Sequence, residues 1–299
     1  MKIFGFGKDP DEEKAEALAK ERREQSEQNL SGGGLPLAAI ERIKEQASRQ
    51  GTKSHFFTSD LSVNELSLVH QAGFEPLGQV MGSSVYQVGW QPTFGFGWGG
   101  FQELETLSHA YSEVRQLALN RLLQEATLLG ADGVVGVRLE RKEQDWWSDM
   151  IEFIAIGTAV REAGKPHSAS PPFLSNLSGS DFWLLHEAGY APAGFAFGNC
   201  SVACVSSFNR LSWINQEITD ITQAVYQARN LAMERMETEA RAYHAETIVG
   251  VTVESEMRTI ERDKAPPLTM YHYTAFGTAI ISQKRDHPSL KIQTAVSLS

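Results

Sequence analysis

Two long stretches of this chain carry nearly the same text at a fixed separation. Phe57-Thr58-Ser59-Asp60-Leu61-Ser62 returns as Phe173-Leu174-Ser175-Asn176-Leu177-Ser178, and His70-Gln71-Ala72-Gly73 returns as His186-Glu187-Ala188-Gly189. The offset is common to both (173 − 57 = 116 and 186 − 70 = 116). Further on, Gly133-Val134-Val135-Gly136-Val137 returns as Thr247-Ile248-Val249-Gly250-Val251, and Gly157-Thr158-Ala159-Val160 as Gly277-Thr278-Ala279-Ile280. Self-similarity with a period of domain length means tandem globular units, not a solenoid. The 299 residues then divide into an N-terminal helical arm over 1–50, repeat 1 over 56–162, a linker over 163–172, repeat 2 over 173–282 and a tail strand over 283–299.

Local patterns fill in each unit. Residues 8–29 are rich in Glu, Lys, Arg and Ala and predict a solvated, tethered helix. Ser31-Gly32-Gly33-Gly34 ends it. Ile40, Ile43 and Ala47 mark the apolar side of a second helix over 36–50, expected to dock on a neighbouring subunit. In repeat 1, Ser62-Val63-Asn64-Glu65 has capping-box form, so a short helix runs to Gln71 and Gly73 stops it. Residues 75–81 and 84–90 predict two strands meeting near Gly82-Ser83, followed by a Gly- and aromatic-rich loop over 91–100. Leu104, Leu107, Tyr111, Val114, Ala118, Leu122, Ala126 and Leu129 step by three and four, the spacing of one long helix closed by Gly130. Leu117, Leu119 and Leu123 lie off that stripe, and a helix apolar beyond one face needs a second partner. Strands over 131–141 and 149–161 complete the unit. Repeat 2 copies the plan, with a long helix over 214–243 and strands over 247–256 and 269–282 linked through Pro266-Pro267. In the tail, Leu290, Ile292, Thr294, Val296 and Leu298 share one face of a strand that seeks an edge, in its own chain or a partner's.

Several of these pieces together are familiar. Gly99-Gly100 precedes a helix carrying Tyr111, Val114-Arg115, Ala118-Leu119 and Glu125-Ala126, then Gly130-Ala131-Asp132-Gly133-Val134-Val135-Gly136-Val137 and Gly157-Thr158-Ala159-Val160. This resembles the YbjQ family, often labelled heavy-metal-binding. Repeat 2 matches more loosely, through Ala228-Arg229, Ala232-Met233, Glu239-Ala240, Ala245–Val251 and Gly277–Ile280. Phe101 stands where the family usually has arginine after Gly-Gly, and repeat 2 lacks the Gly-Gly pair. The resemblance implies an α+β class: two tandem YbjQ-like domains, each an antiparallel sheet packed on one long helix. It also implies assembly into a ring, typically a pentamer. In such a ring the second partner of each long helix is the next subunit's sheet.

Charge and cysteine content narrow the function. The net charge is −10, which argues against general binding to nucleic-acid backbones. No segment approaches the length and apolarity of a transmembrane helix, and no secretory signal opens the chain, so a cytoplasmic location is expected. Cys200 and Cys204 are the only cysteines, so no disulfide framework is implied. They lie four apart on one strand face, which reads as two small buried hydrophobes. His70 and His186 are the only repeat-equivalent histidines, both near a helix C-terminus where imidazole complements the dipole. Ring symmetry could gather them, so His70, His186, Cys200 and Cys204 are the candidate ligands for a divalent transition metal. Structural zinc, however, needs closely spaced pairs that are absent here.

The loop Gly95-Phe96-Gly97-Trp98-Gly99-Gly100 has the form G-x-G-x-x-G. It is crowded with aromatic residues and no acidic residue ends a strand about 20 positions on, so a dinucleotide site is not expected. Phe96, Trp98, Gly99 and Gly100 read instead as an interface loop. Trp146 and Trp147, beside the acidic hairpin tip of repeat 1, read as a second contact, with a partner or a membrane interface. No nucleophile elbow, metalloprotease motif or phosphate loop occurs. The expectation is a non-enzymatic, cofactor-free ring scaffold or small-ligand binding protein, self-associating as a pentamer, with a protein partner engaged through the arm or tail. A heavy-metal-binding protein and an enzyme with an interface pocket are the alternatives.

Overall fold

The computed structural model describes residues 10–52, 56–87, 100–143, 150–166, 170–205, 217–262 and 265–283. The arm forms α1 (Pro10–Ser31) and α2 (Leu37–Ser48). Repeat 1 runs α3 (Val63–Gln71), β1 (Phe74–Gln87), β2 (Gly100–Glu103), α4 (Glu105–Leu128), β3 (Gly133–Glu143) and β4 (Met150–Glu162). Repeat 2 runs β5 (Phe173–Leu174), α5 (Gly179–Glu187), β6 (Tyr190–Val205), α6 (Thr219–Ala242), β7 (Thr247–Arg262) and β8 (Ala265–Ser282). The two sheets have orders β1-β4-β3-β5 and β2-β6-β8-β7. All pairings are antiparallel except β3 with β5. The class is mixed α+β.

The expected short helices form for the expected reason. Ser62 Oγ accepts from Glu65 N at 3.3 Å and Glu65 Oε2 accepts from Ser62 N at 2.8 Å. In repeat 2, Ser178 Oγ accepts from Asp181 N at 3.1 Å. Gly73 and Gly189 follow these helices at φ 85° and 83°, a left-handed stop that glycine makes without strain.

Three expectations change. Residues 75–81 and 84–87 are not two strands but parts of the single strand β1, and residues 88–90 lie outside the described residues. Gly82 marks no turn. It lies where β1 passes under α4, and a Cβ there would run into the Ala118 carbonyl oxygen. Gly198 meets the Ala232 carbonyl of α6 in the same way. Glycine at this position lets helix backbone and strand backbone touch. Second, Pro266 and Pro267 fall inside β8, at the start of the strand where a missing N–H is tolerated. Third, α2 docks within its own chain. Its Ile43 is fully buried in the repeat 1 core, and Gln46 Nε2 and Gln50 Nε2 donate to the carbonyls of Leu77 and Leu129, both at 3.1 Å. The tail from Lys284 lies outside the described residues.

The two long helices differ in burial. In α6 the buried residues are Ala224, Ala228, Ala232, Met236 and Ala240, one stripe at every fourth position. In α4 they include Ser108, Tyr111, Arg115, Leu119 and Arg121 beside the stripe of Val114, Ala118, Leu122 and Ala126. The second partner expected for α4 is therefore present in the same chain. Phe195, Phe197 and Phe276 of the repeat 2 sheet join Tyr111, Val114, Leu119, Val137 and Leu139 in one core.

Candidate functional site

The seam between the repeats is where side chains of different elements converge. Each repeat lends the other a short strand. Gly100–Glu103 of repeat 1 pairs with residues 202–205 of β6, and Phe173–Leu174 of repeat 2 pairs with residues 133–134 of β3. The loan of Phe173–Leu174 continues along the backbone. Ser175 N donates to Val134 O, Val137 N to Ser175 O and Gly136 N to Leu177 O, each at 2.9 Å. Gly136 sits at φ 65°, in a bulge of β3 that turns its N–H toward the visiting segment.

Beneath these strands lies a buried polar network joining α4 to the repeat 2 sheet. Ser112 Oγ donates to Asn199 Oδ1 at 2.7 Å, Asn199 Nδ2 donates to Ser108 O at 2.9 Å, and Ser201 N donates to Ser108 Oγ at 2.9 Å. The Ser201 hydroxyl lies 2.7 Å from His272 Nδ1, and the Thr274 hydroxyl lies 3.0 Å from Nε2. The imidazole stacks on Tyr111 at 3.9 Å between ring centroids. Burial, with Arg141 adding to it, pushes His272 down to about 3, so it stays neutral in the fold.

A charged clasp closes the edge of β6. Arg115 lies over the Phe197 ring at 3.8 Å and reaches Glu239 of α6 at 3.3 Å. Glu239 Oε2 also accepts from Phe197 N at 2.9 Å. Arg235 of α6 donates to Asn199 O at 2.7 Å and forks onto Glu103 at 2.7 and 3.0 Å. Burial lowers the Arg115 guanidinium from its usual range, with Glu239 opposing. Every contact here except Arg235–Asn199 and Glu239–Phe197 crosses from one repeat to the other.

The seam also holds a recess of about 250 Å³ lined by Asp60, Glu65, Gly136, Arg138, Thr158, Asn176 and Ser178. Asp60 pairs with Arg138 at 2.5 Å. Glu65 accepts from Gly179 N at 3.2 Å, so one carboxylate serves the N-termini of α3 and α5. The Ser62 hydrogen bonds hold that carboxyl below its usual range.

The predicted site residues do not converge on this seam as a group. His70 is exposed in the last turn of α3, and His186 is half-buried in that of α5, with its ring 6.0 Å from Phe74. Cys200 and Cys204 are buried on β6 and pack with Ala224, Ala228 and Ala232 of α6. Burial pushes the Cys200 thiol up to about 12, aided by Glu103, and burial raises Cys204 as well. A thiol held protonated is a poor metal ligand. Among the described residues, His, Cys, Asp and Glu form no group of three or more that could hold an ion. The described side chains therefore do not fit a metal site. Gly100 belongs to β2 and takes part in the seam. Phe96, Trp98, Gly99, Trp146 and Trp147 lie outside the described residues.

Reading residue types alone missed the clasp. Its signal was present in the repeat itself. Arg115, Arg121 and Glu125 return as Arg229, Arg235 and Glu239 at one offset (229 − 115 = 235 − 121 = 239 − 125 = 114). His272, Ser201 and Asn199 carried no such signal, because their counterparts in repeat 1 are Glu152, Val85 and Ser83.

A fold of this kind defines a class first: paired α+β units whose surfaces of contact are the sheet edge and the outer sheet face. The comparisons place it more narrowly. The family model described as "YbjQ: Putative heavy-metal-binding" matches residues 74–163 and 204–283. An encapsulin nanocompartment protein of Mycobacterium tuberculosis is 45% identical over 203 residues, which is 65% of this chain and 76% of that protein. A UPF0145 protein of Archaeoglobus fulgidus is 41% identical over 59 residues, 20% of this chain and 53% of that one. The chain belongs to the YbjQ family.

Proposed function

We propose that this protein is a non-enzymatic, ring-forming scaffold that operates with an encapsulin nanocompartment in the cytoplasm. One observation carries the assembly. The surfaces that repeat 1 and repeat 2 bury against each other have counterparts that a single chain leaves exposed. Val137 and Leu139 of β3 are 1% and 6% exposed, whereas Val251 and Val253 of β7 are 42% and 49% exposed. Phe197 on the outer face of β6 is 3% exposed, whereas Met81 on β1 is 46% exposed. Repeat 2 thus offers what repeat 1 offers to it, and repeat 1 offers what repeat 2 presents in return.

Applying the in-chain contact once more sets the β7 edge and the free side of α6 against residues 57–61 and the outer face of β1 in a second copy. Such a heterologous contact gives a ring when its rotation closes. The family resemblance favours five chains, hence ten domains. Closure also hides the apolar edge of β7, which would otherwise invite indiscriminate pairing.

The polar recess at each seam supports a small-ligand role alongside scaffolding, without a metal or other cofactor. The encapsulin association rests on the mycobacterial relative, with the arm or the alternating tail from Leu290 as the docking element. No helix among the described residues is long and apolar enough to cross a membrane.

Native mass spectrometry of untagged protein, purified without added metal, tests this reading. A fivefold multiple of the chain mass is the expected species. A single chain at all concentrations would overturn it. A stoichiometric metal lost in the His70→Ala/His186→Ala double variant would replace it with the metal-binding alternative.

A further inference from the structure

The clasp exists twice, and the second copy is closed differently. In repeat 2, Glu239 Oε2 receives Phe197 N while Arg115 of the other repeat supplies the cation. In repeat 1, Glu125 Oε2 receives Met81 N at 2.9 Å in the same way. Its cation, however, is Arg42 of α2, bound to Oε1 at 2.7 Å. Arg235 binds Asn199 O and spends its remaining fork on Glu103 of the other repeat. Arg121 binds Ser83 O at 2.6 Å and spends its fork on the arm, donating to Gly34 O at 3.0 Å and Leu30 O at 3.2 Å. At both anchor points the arm engages the side chain whose counterpart in repeat 2 is engaged by a neighbouring repeat, sharing Oε1 of the carboxylate and Nη2 of the arginine.

The residues a neighbour would bring to these atoms are identifiable by register. Arg115 corresponds to Arg229, and Glu103, just before α4, corresponds to Glu217, just before α6 (217 − 103 = 114). Both are exposed. A second copy docking through repeat 2 would present Arg229 to Glu125 and Glu217 to Arg121. Glu125 is almost wholly buried, at 3% side-chain exposure, and one oxygen is already committed to Met81 N. Its other oxygen is held by Arg42. Arg121 Nε and Nη2 each donate to the arm.

Resting on the ring reading above, we propose that the segment from Leu30 to Gln50 is a self-plug: it occupies the acceptor position for a second copy of this chain and must yield for the ring to close. The plug is suited to release. Arg42 is half exposed, α1 has no apolar face, and the arm is held near Arg121 by backbone carbonyls of a Gly-rich turn. Within this segment only Leu35 and Ile43 are buried.

The test uses the full-length chain and three variants: Arg42→Glu, Arg42→Ala and Arg229→Glu. Native mass spectrometry and sedimentation velocity give the concentration at which half the chains are assembled. Hydrogen exchange reports residues 30–50 before and after assembly. The expected result is that Arg42→Glu and Arg42→Ala lower the half-assembly concentration about tenfold. Arg229→Glu is expected to raise it at least tenfold, and exchange in residues 30–50 to rise on assembly. If either Arg42 variant assembles no better than wild type, or if residues 30–50 become more protected in the assembly, the plug is overturned while the ring stands. If Arg229→Glu assembles like wild type, the docking register itself is wrong, and the plug falls with it.

Discussion

Helices α4 and α6 descend from the same text, yet one is buried on two sides and the other on one. In α4, Arg115 is buried, lies over Phe197 and meets Glu239. Its counterpart Arg229 is exposed. The stripe facing each helix's own sheet is preserved in both, because it fills a space defined by that sheet alone. The other side is occupied only where a neighbour stands. Equal sequences thus report the internal packing of a unit, and unequal burial reports whether a neighbouring unit stands against it.

That contrast can be broken at its strongest point, the helix–strand crossings. Gly82→Val and Gly198→Val drive a side chain into the Ala118 and Ala232 carbonyls respectively. Each is expected to cost at least about 3 kcal/mol in urea unfolding. Equal losses would show that the two cores are built alike; a tolerant repeat 1 would refute the equivalence.

The clasp comes next. Arg115→Ala leaves Glu239 without its cation at a mostly buried seam and is expected to cost about 3 kcal/mol. Arg229→Ala, measured on dissociated chains, is expected to change stability by less than about 0.5 kcal/mol. If the two substitutions cost the same, the asymmetry between the helices has no energetic meaning.

A pH effect separates the seam from either core. His272 sits at about 3 in the fold against an ordinary 6.5. Between these values protons bind the unfolded chain in preference. The contribution is therefore complete above pH 6.5 and is lost as pH falls toward 3. From pH 7 to pH 5 the loss is about 2 kcal/mol. Thermal melts at the two pH values measure it, and His272→Gln is expected to flatten that slope.

The smallest effects test the segments Phe57–Ser62 and Phe173–Ser178. Thr158 Oγ1 lies 3.2 Å from Ser59 Oγ and accepts from Asp60 N at 3.3 Å; Thr278 Oγ1 lies 3.0 Å from Ser175 Oγ and accepts from Asn176 N at 3.1 Å. Thr158→Val and Thr278→Val are each expected to cost about 1 kcal/mol. A larger loss at Thr278 would show that the lent segment, Phe173–Ser178, depends on this anchor more than its repeat 1 counterpart does.

Much of this was readable in advance. The capping box at Ser62 and Glu65, the stop at Gly73 and the closure of the long helix at Gly130 follow from side chains acting within a few residues. The Gly82 strand was misread because a glycine beside serine has the same local chemistry whether it turns or admits a helix. Only the position of Ala118 distinguishes the two. The docking of α2 on its own chain was misread for a related reason: an apolar stripe requires a surface but does not name its owner. Ligand chemistry singles out the histidines and cysteines, while the packing of Cys200 and Cys204 among alanines of α6 matches their other reading as small buried hydrophobes. The YbjQ kinship was legible from the long helix and the two strands after it.

The sequence by itself determined the two repeats, their helices and their long final strands, and the capping and helix-stop positions at Ser62, Glu65 and Gly73, since these depend on near neighbours and periodicity. The tertiary structure alone decided which strands are exchanged, that His272 is held neutral, and that Arg42 fills the place of Arg115. Those outcomes depend on distances between residues far apart in the chain, where hydrogen-bond geometry and loss of water, rather than residue type, select the partner.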